Sequence, residues 1–245
     1  PLRFAGMQEA VERIHRALDD FESIAVYGDY DADGVTATAM LYSYLESCGA
    51  NVSYYIPDRE AEGYGMNRSA IDRLHERGVS LLVTVDNGIA SLDEVAYAAS
   101  LQMDVVVTDH HRPRPELPAA CAVVDPHRPG CGSLYKDLAG VGVAFELILA
   151  LEGEDCDVQG LLDNYADLLS IGTIGDVVPL TGENRAFVRA GLRQLSRTDR
   201  LGLRELISLA GMADRPFTAT NVAFTIVPRI NATGRMGAPD RAVRL

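Results

Sequence analysis

Three aspartates stand at alternate positions in GDYDADG (28–34), directly after a short run of apolar and β-favouring residues: Asp29, Asp31 and Asp33. In an extended segment, this period-2 spacing directs all three carboxylates to one side. Carboxylates that share a site repel one another unless cations neutralise them, so the spacing predicts a divalent metal site. The alternative is a solvated acidic turn that caps the next helix, for which one of the three aspartates would suffice.

Two familiar motifs share part of this spelling. An EF-hand loop also begins D-x-D-x-D-G, but its twelfth position needs a bidentate glutamate, and that position counted from Asp29 is Met40. Residues 31–36 are similar to the nucleophile motif of haloacid-dehalogenase-like phosphatases. That chemistry also needs a later lysine, and the only lysine of the sequence, Lys136, falls in a loop. We therefore exclude the EF-hand and keep the phosphatase as a minor alternative.

The hydrophobic pattern places these aspartates in an alternating series of strands and helices. Short apolar runs predict strands at 24–27, 52–56, 81–85 and 105–108. Helical periodicity predicts helices at 7–18, 35–48, 67–77 and 92–101. Such alternation predicts an α/β fold with a parallel sheet flanked by helices. After an edge strand and a Pro- and Gly-rich loop at 123–135, the chain becomes mainly helical, at 141–151, 158–174, 183–196 and 201–209.

Acidic and histidine residues directly follow three of the predicted strands. Beside the aspartates after the first strand, Asp86 follows the third, and Asp109, His110 and His111 follow the fourth. Ligands bind beyond the carboxyl ends of parallel strands, so we expect these clusters to converge. Asp176 follows an apolar helix, and a buried carboxylate there needs a partner, for which we expect a metal. Carboxylates with one or two imidazoles suit Mn²⁺ or Mg²⁺ better than Zn²⁺.

Composition sets the wider limits. The 245 residues are 47% hydrophobic and 23% charged, which is typical of a globular protein with one large or two modest domains. The sequence contains no membrane-length apolar run and no signal-peptide pattern, so we predict a cytoplasmic protein without a membrane partner. The four cysteines form no C-x-x-C pair, which favours reduced thiols. We expect the chain to be part of a longer protein.

The charge is distributed unevenly. The net charge is −13, yet residues 183–245 hold 11 arginines against 5 acidic residues, a net charge of +6. The basic part could hold a polyanion near the acidic site. Four arginines recur at helical spacing on one face and two continue it: Arg185, Arg189, Arg193, Arg197, Arg200 and Arg204. Such a face can track phosphates, but a solvated helix face is the favoured interpretation.

Four motifs in order, GDYDADG (28–34), VDNG (85–88), TDHH (108–111) and TIGDVVPL (173–180), resemble the DHH phosphoesterase superfamily, specifically RecJ-type single-stranded-DNA exonucleases. The resemblance covers nearly the whole chain, and it implies a core that binds two Mn²⁺ or Mg²⁺ ions. It also implies the roles of individual residues. Asp31 and Asp33 would bind different ions, Asp86 would bridge them, and His110 and Asp176 would be further ligands, with Asp29 as an additional candidate.

The resemblance also implies residues that act beside the metals. His111 would face the scissile phosphate, and Asp109 would orient His110. Several relatives with small substrates carry a histidine where this chain has Tyr27, which leaves one ion a ligand short. Residues 227–237 resemble the RecJ segment before the linker to a second domain. We expect Arg229, Asn231 and Arg235, together with Asn87, to bind substrate, since arginine offers a bidentate fork to phosphate.

The resemblance implies a metal-dependent enzyme that removes nucleotides from single-stranded DNA in the 5′-to-3′ direction by water attack, in DNA repair and recombination. One alternative is a DHH phosphoesterase that acts on oligonucleotides, cyclic dinucleotides or pyrophosphate. The other is an inactive relative that binds DNA or serves as a replication scaffold. We expect residues 1–180 to form the catalytic domain and 181–245 an arginine-rich helical extension leading to a C-terminal DHHA1-like domain. We expect a monomer, with a single-strand-binding protein or a helicase as partners.

Overall fold

A computed structural model of the protein describes residues 3–237 and 240–245. Its centre is a five-stranded sheet in which every neighbouring pair is parallel, in the order β2-β1-β3-β4-β5. The strands are β1 Ser23–Tyr27, β2 Asn51–Tyr55, β3 Leu81–Thr84, β4 Asp104–Thr108 and β5 Ala122–Val124. The predicted fold class is confirmed, and the short strand before the Pro- and Gly-rich loop pairs in parallel at one edge.

Helices cover both faces of this sheet, which is why its central strands are mainly apolar. The helices of the sheet layer are α1 Met7–Asp19, α2 Ala32–Ser47, α3 Arg68–Glu76, α4 Leu92–Ser100 and α5 Gly140–Glu152. Side chains of α1, α2 and α5 form one core with the sheet. Side chains of α3 and α4 form the core on the opposite face.

The rest of the chain is helical, as predicted. It contains α6 Val158–Gly175, α7 Gly182–Leu195, α8 Leu201–Leu209, α9 Ala219–Thr225, α10 Val227–Arg235 and α11 Asp240–Val243. These helices share an apolar cluster with the start of α2, through Ala32 and Val35. The helical part therefore packs directly beside the carboxyl end of β1. A domain boundary near 180 remains a prediction.

The sequence did not predict α9 and α10. Helix α10 covers Val227–Arg235, most of the segment 227–237, and Pro228 is accommodated because it lies in the first turn. In the part of the chain that the structure describes, no helix has both the length and the apolar character needed to cross a bilayer.

Candidate metal centre

The aspartates of GDYDADG lie where β1 passes into α2. Their spacing suggested an extended segment, but the structure differs. Helix α2 begins at Ala32, three residues before the predicted start, so the three aspartates do not share one extended segment. Asp31 is the N-cap, and its Oδ1 accepts hydrogen bonds from the backbone N–H groups of Asp33 and Gly34, at 2.9 and 3.0 Å. One aspartate thus caps the helix, as the alternative interpretation required, while Asp29 and Asp33 remain for other roles.

Asp33 is held by a second helix. Helix α5 has Ala139 at its N-cap and therefore no capping side chain of its own. The Asp33 carboxylate accepts from the N–H groups of Gly140 (2.6 Å) and Val141 (2.9 Å) at the start of that helix. Burial nevertheless raises the pKa of Asp33 to about 7, and the charges of Asp176 and Asp31 act in the same direction. Its oxygens keep lone pairs that can accept a cation.

Asp86 is the central carboxylate of the site. It follows β3 with φ of 61°, the left-handed conformation that aspartate tolerates better than most residues. Helix α5 approaches it so closely that a β-carbon on Gly140 would lie 2.5 Å from the Asp86 β-carbon. Burial raises the pKa of Asp86, and so do the charges of Asp33 and Asp31. The Asp86 carboxylate is therefore held in position, while no arginine or lysine of the described residues forms an ion pair with it.

His110 lies between three of the aspartates. Its Nε2 is 3.0 Å from Asp86 Oδ1 and 3.8 Å from Asp33 Oδ2, and its Nδ1 is 3.6 Å from Asp176 Oδ2. Burial lowers the pKa of His110, but the negative charges of Asp33 and Asp176 outweigh that effect and raise it. Asp176 follows α6 as its C-cap, and α6 is buried over its last two turns, as the sequence predicted.

Asp109 orients a different histidine from the one expected. Its Oδ1 accepts from His111 Nδ1 at 2.7 Å, whereas it meets His110 only through the backbone N–H, also at 2.7 Å. Its Oδ2 accepts from the N–H of Ile89 at 2.9 Å. The aspartate is thereby locked, and His111, 46% exposed, is turned toward solvent at the rim of the site. The expectation that Asp109 orients the His110 ring is wrong.

These residues fit a divalent cation. Three groups bring ligand atoms within 4.8 Å of one another: Asp86, His110 and His111; Asp33, His110 and Asp176; and Asp29, Asp31 and Asp86. Asp86 belongs to two of them, which is what a bridging carboxylate requires. Among the described residues, Asp29 Oδ1, Asp86 Oδ1 and His110 Nε2 are buried without a hydrogen bond. Asp86 Oδ1 and His110 Nε2 lie 3.0 Å apart but do not form a hydrogen bond with each other. Buried carboxylate and imidazole atoms without hydrogen bonds are costly unless a metal binds them.

Only two of the four predicted substrate residues lie in the cleft beside the aspartates. Asn87 is fully buried and donates through Nδ2 to the carbonyl oxygens of Tyr27 (3.1 Å) and Val85 (2.9 Å), so its side chain cannot meet a substrate. Arg229 donates to Thr225 O on the exposed side of α10 and does not line the cleft beside the aspartates. The substrate role of Asn87 is therefore corrected, because its side chain braces the turn after β3. Arg229 joins α10 to the end of α9, and its substrate role remains a prediction.

Asn231 and Arg235 do face the site. Asn231 Oδ1 accepts from the N–H of Ala32 at 2.7 Å, which joins α10 to the start of α2. Both residues line a cleft of about 330 Å³ with Asp29, Asp31 and Arg59. Arg59 lies over the ring of Tyr30, 5.1 Å from its centre. Arg59 comes from a loop without periodicity, and no sequence signal pointed to it.

Asp125 was missed as well. It directly follows β5, its side chain is fully buried, and its Oδ2 has no hydrogen bond within the described residues. Burial raises its pKa to about 7. The rule that selected Asp86 and Asp109, an aspartate directly after a parallel strand, would have selected it, but a three-residue strand beside a Pro- and Gly-rich loop gave too short a signal.

The structure also shows where Tyr27 and the arginines along and after α7 lie. Tyr27 is fully buried, and its hydroxyl donates to Gly65 O at 3.2 Å, so it supplies no metal ligand. Arg185, Arg189 and Arg193 are exposed along α7. Arg197 and Arg200 pair with Asp163 and Asp167. The arginines along α7 therefore form a solvated face, and the two that follow the helix form ion pairs. This agrees with the favoured interpretation.

A parallel sheet whose carboxyl edge gathers aspartates and histidines from several strands defines the class. The chain belongs to the DHH family, whose N-terminal domain matches residues 23–173. It is 49% identical to the single-stranded-DNA-specific exonuclease RecJ of Bacillus subtilis (strain 168) over 245 residues, which is 100% of this chain and 30% of that protein. The resemblance inferred from the four motifs is confirmed.

Solved structures extend this likeness. The crystal structure of exonuclease RecJ bound to manganese superimposes with a TM-score of 0.88 at 40% identity, over 98% of this chain and 60% of that one. RecJ from Thermus thermophilus matches in complex with Mn²⁺ (TM-score 0.81, 38% identity, 98% of this chain and 34% of that one) and with Mg²⁺ (0.68, 35%, 98% and 31%). The predicted choice of Mn²⁺ or Mg²⁺ agrees with these ions. The chain spans less than half the length of the curated RecJ relatives, 30% to 44%.

Proposed function

We propose that this protein is a metal-dependent exonuclease that hydrolyses single-stranded DNA from its 5′ end to 5′-mononucleotides. The observation that carries the proposal is the set of carboxylates around His110. In the part of the chain that the structure describes, they have no arginine or lysine partners, and Asp86 belongs to two of the three groups. Relatives at this identity are named single-stranded-DNA-specific exonucleases, which supports the same activity here.

Two ions would be held by Asp31, Asp33, Asp86, His110 and Asp176, with Asp29 beside them. When bound, such ions acidify water and neutralise the charge that builds on the phosphate oxygens. Helix α5 and the Asp31 cap hold the carboxylates in place, so little reorganisation is needed when charge develops. His111, oriented by Asp109, donates to a phosphate oxygen at the exposed rim.

The cleft of Arg59 and Arg235 would take the end of the strand. A terminal phosphate carries more negative charge than an internal one, and two arginine forks suit it. Asn231 lines the same cleft, but its carbonyl oxygen is engaged by α2. This position beside Asp29 and Asp31 would place the next linkage of the strand over the aspartates.

The test is digestion of one long single-stranded DNA labelled at the 5′ end in one sample and the 3′ end in another, with MnCl₂ or with EDTA. Early release of a labelled 5′-mononucleotide, blocked by EDTA, is the expected result. Hydrolysis confined to dinucleotides or pyrophosphate would favour the small-substrate alternative instead. Binding without hydrolysis in Mn²⁺ would favour the inactive DNA-binding relative.

The wider setting is part of the proposal. We place the activity in DNA repair and recombination in the cytoplasm, with a monomeric protein that meets a single-strand-binding protein or a helicase on DNA. Residues 1–180 would carry catalysis, and residues 181–245 would lead toward a DHHA1-like domain. Arg59 and Arg235, from either side of that boundary, would then act on one phosphate.

A further inference from the structure

A second cleft opens on the other side of His111. It has a volume of about 470 Å³, and its lining includes Tyr64, Ser91, His111, Arg112 and Arg114. Tyr64 lines both this cleft and the one that contains Arg59 and Arg235. The Tyr64 hydroxyl lies 3.2 Å from Asp86 O and 3.2 Å from His111 Nδ1. The two clefts therefore flank the metal centre and meet at one side chain.

The wall of the second cleft is the start of α4. The first N–H groups of a helix have no partners within the helix, and they carry partial positive charge. Ser91 stands at the N-cap, but its hydroxyl makes no capping hydrogen bond. The residue is only 9% exposed, and within the described residues its hydroxyl has no hydrogen-bond partner. A hydroxyl without a partner, on a residue that is nine-tenths buried at a helix start, is free to donate to an acceptor in the cleft.

The opposite wall of the cleft passes close to this hydroxyl. A β-carbon placed on Gly65 would lie 3.8 Å from Ser91 Oγ, the nearest contact it would make. Gly65 has φ of +82°, so the loop that carries Tyr64 turns here and leaves the space in front of Ser91 open. The hydroxyl and the open N–H groups thus face the same space.

Two arginines complete the cleft. Arg112 and Arg114 alternate with Pro113 and Pro115, and prolines keep such a segment extended. A spacing of two residues in an extended segment places both guanidinium groups on one side. Both are exposed, and neither forms an ion pair within residues 3–237 and 240–245. The cleft therefore offers a hydroxyl, helix N–H groups and two free cations.

We propose that this second cleft binds the phosphodiester next to the scissile one, on the side of the strand away from Arg59 and Arg235. The inference rests on the proposed function, since it takes single-stranded nucleic acid as the ligand. Asp93 and Glu94 line the same cleft. Their negative charges disfavour a doubly charged terminal phosphate more than a singly charged diester, which separates this cleft from the other.

The experiment combines a protein variant with a chemically altered strand. A fluorescent pentathymidylate is prepared in its natural form and with each linkage in turn replaced by a neutral methylphosphonate. Binding is measured by anisotropy in EDTA, and KM is measured with MnCl₂. The variants are R112Q/R114Q and Ser91→Ala, and the matched control is Arg77→Gln, an exposed arginine at the end of α3 and in a different groove.

We expect R112Q/R114Q to weaken binding about tenfold and Ser91→Ala about threefold, as for lost charge-assisted and neutral hydrogen bonds. Among the linkages tested, we expect one whose neutralisation weakens binding to the unmodified protein about tenfold. Neutralising that same linkage should not weaken binding to R112Q/R114Q any further. The Arg77→Gln protein should keep the full linkage effect.

If neutral linkages weakened binding to R112Q/R114Q by the same factor as binding to the unmodified protein, the arginines and the linkage would act independently. That result would overturn the subsite. Equal weakening by Arg77→Gln would show that only overall charge matters and would also overturn it. The proposed function is judged separately, by whether the unmodified protein digests the natural strand in Mn²⁺. Since the binding measurement uses EDTA, the subsite can stand or fall whichever way that digestion turns out.

Discussion

Carboxylates at the two ends of the sheet have opposite pKa shifts. At the amino end, Arg13 of α1 donates to Glu22, just before β1, and to Asp104, the first residue of β4, both at 2.6 Å. The hydrogen bond from Arg13 lowers the pKa of Glu22, and it lowers that of Asp104 against the effect of burial. At the carboxyl end, burial raises the pKa of Asp29, Asp33 and Asp86.

The opposite pKa shifts distinguish carboxylates that stabilise the fold from carboxylates that are suited to bind a cation. A carboxylate paired with arginine favours the folded state at neutral pH, because its charged form is more stable there than in the unfolded chain. Buried carboxylates that face one another disfavour the folded state until a cation neutralises them. The carboxyl end therefore destabilises the fold unless a metal or protons neutralise its carboxylates.

The largest expected effect comes from removing the central carboxylate. Asp86→Ala should lower Mn²⁺-dependent digestion at least about 10³-fold, since several kcal/mol of transition-state stabilisation is lost with the ion. The free energy of unfolding in EDTA, measured with urea, should stay the same or increase, because a repulsive charge is removed. The same substitution at the other end, Asp104→Ala, should keep the activity and lower the free energy of unfolding. An active Asp86→Ala protein would contradict the two-metal proposal.

The second effect tests how helix α5 positions that carboxylate. Gly140→Ala places a β-carbon 2.5 Å from the Asp86 β-carbon, so Asp86 must move. We expect activity to fall about 10²-fold, as for small displacements of catalytic groups, with a destabilisation of about 1–3 kcal/mol. The control is Gly142→Ala on the same helix, where the nearest atom is the flexible end of Leu138 at 3.2 Å. If both variants lost activity equally, general damage to α5 would be the cause.

The third effect is the stabilisation by metal and its dependence on pH. Asp29 and Asp33 have pKa values of about 7 in the metal-free protein, above those of unfolded aspartate near 3.9. The folded state then binds more protons between about pH 4 and pH 7, so metal-free stability falls as the pH rises through that range. Mn²⁺ competes with these protons. Saturating Mn²⁺ should raise Tm by roughly 5–10 °C near pH 8 and by less than half of that near pH 5.5.

Thermal unfolding in MnCl₂ and in EDTA at the two pH values measures this difference. The Asp86→Ala protein is the control, and it should show little shift at either pH. An equal shift at both pH values would mean that the ion binds outside the buried carboxylates.

The smallest effect concerns the amino end. Arg13→Leu leaves Glu22 and Asp104 without their partner and should lower the free energy of unfolding by about 2 kcal/mol, less than for a fully buried pair because Asp104 is 41% exposed. The pKa values of Glu22 and Asp104 are lowered in the folded protein, so their contribution is present above about pH 4 and is lost as the pH falls below it. The difference between Arg13→Leu and the unmodified protein should therefore shrink in acid. Digestion should stay normal, and a loss of activity would break the separation of the two ends.

The sequence predicted much of this architecture, for reasons that apply residue by residue. The strands β1, β3 and β4 are buried on both faces, and such strands are read directly as apolar runs. Asp86, Asp109 and His110 were found because each follows a strand, and the edge of a parallel sheet is the same for all strands. Asp176 was found because its helix is apolar. The predicted loop began at 123, inside β5, so Asp125 was assigned to the loop and missed.

Local sequence could not decide which groups contact one another across the fold. Nothing local to Asp33 shows that α5, more than 100 residues later, lacks its own cap and takes the carboxylate instead. In the same way, only packing decided that Asn231 would cap α2, that Asn87 would be buried, and that Asp109 would orient His111.

The chain by itself therefore determined the type of fold, the edge of the sheet that carries the chemistry and the class of ion. Periodicity and residue type are local properties, and these conclusions need nothing more. Tertiary structure alone decided which carboxylates are left without a partner and which are satisfied by arginine or by a helix start. That difference depends on burial and on neighbours distant in sequence, which set the electrostatic energy of each group.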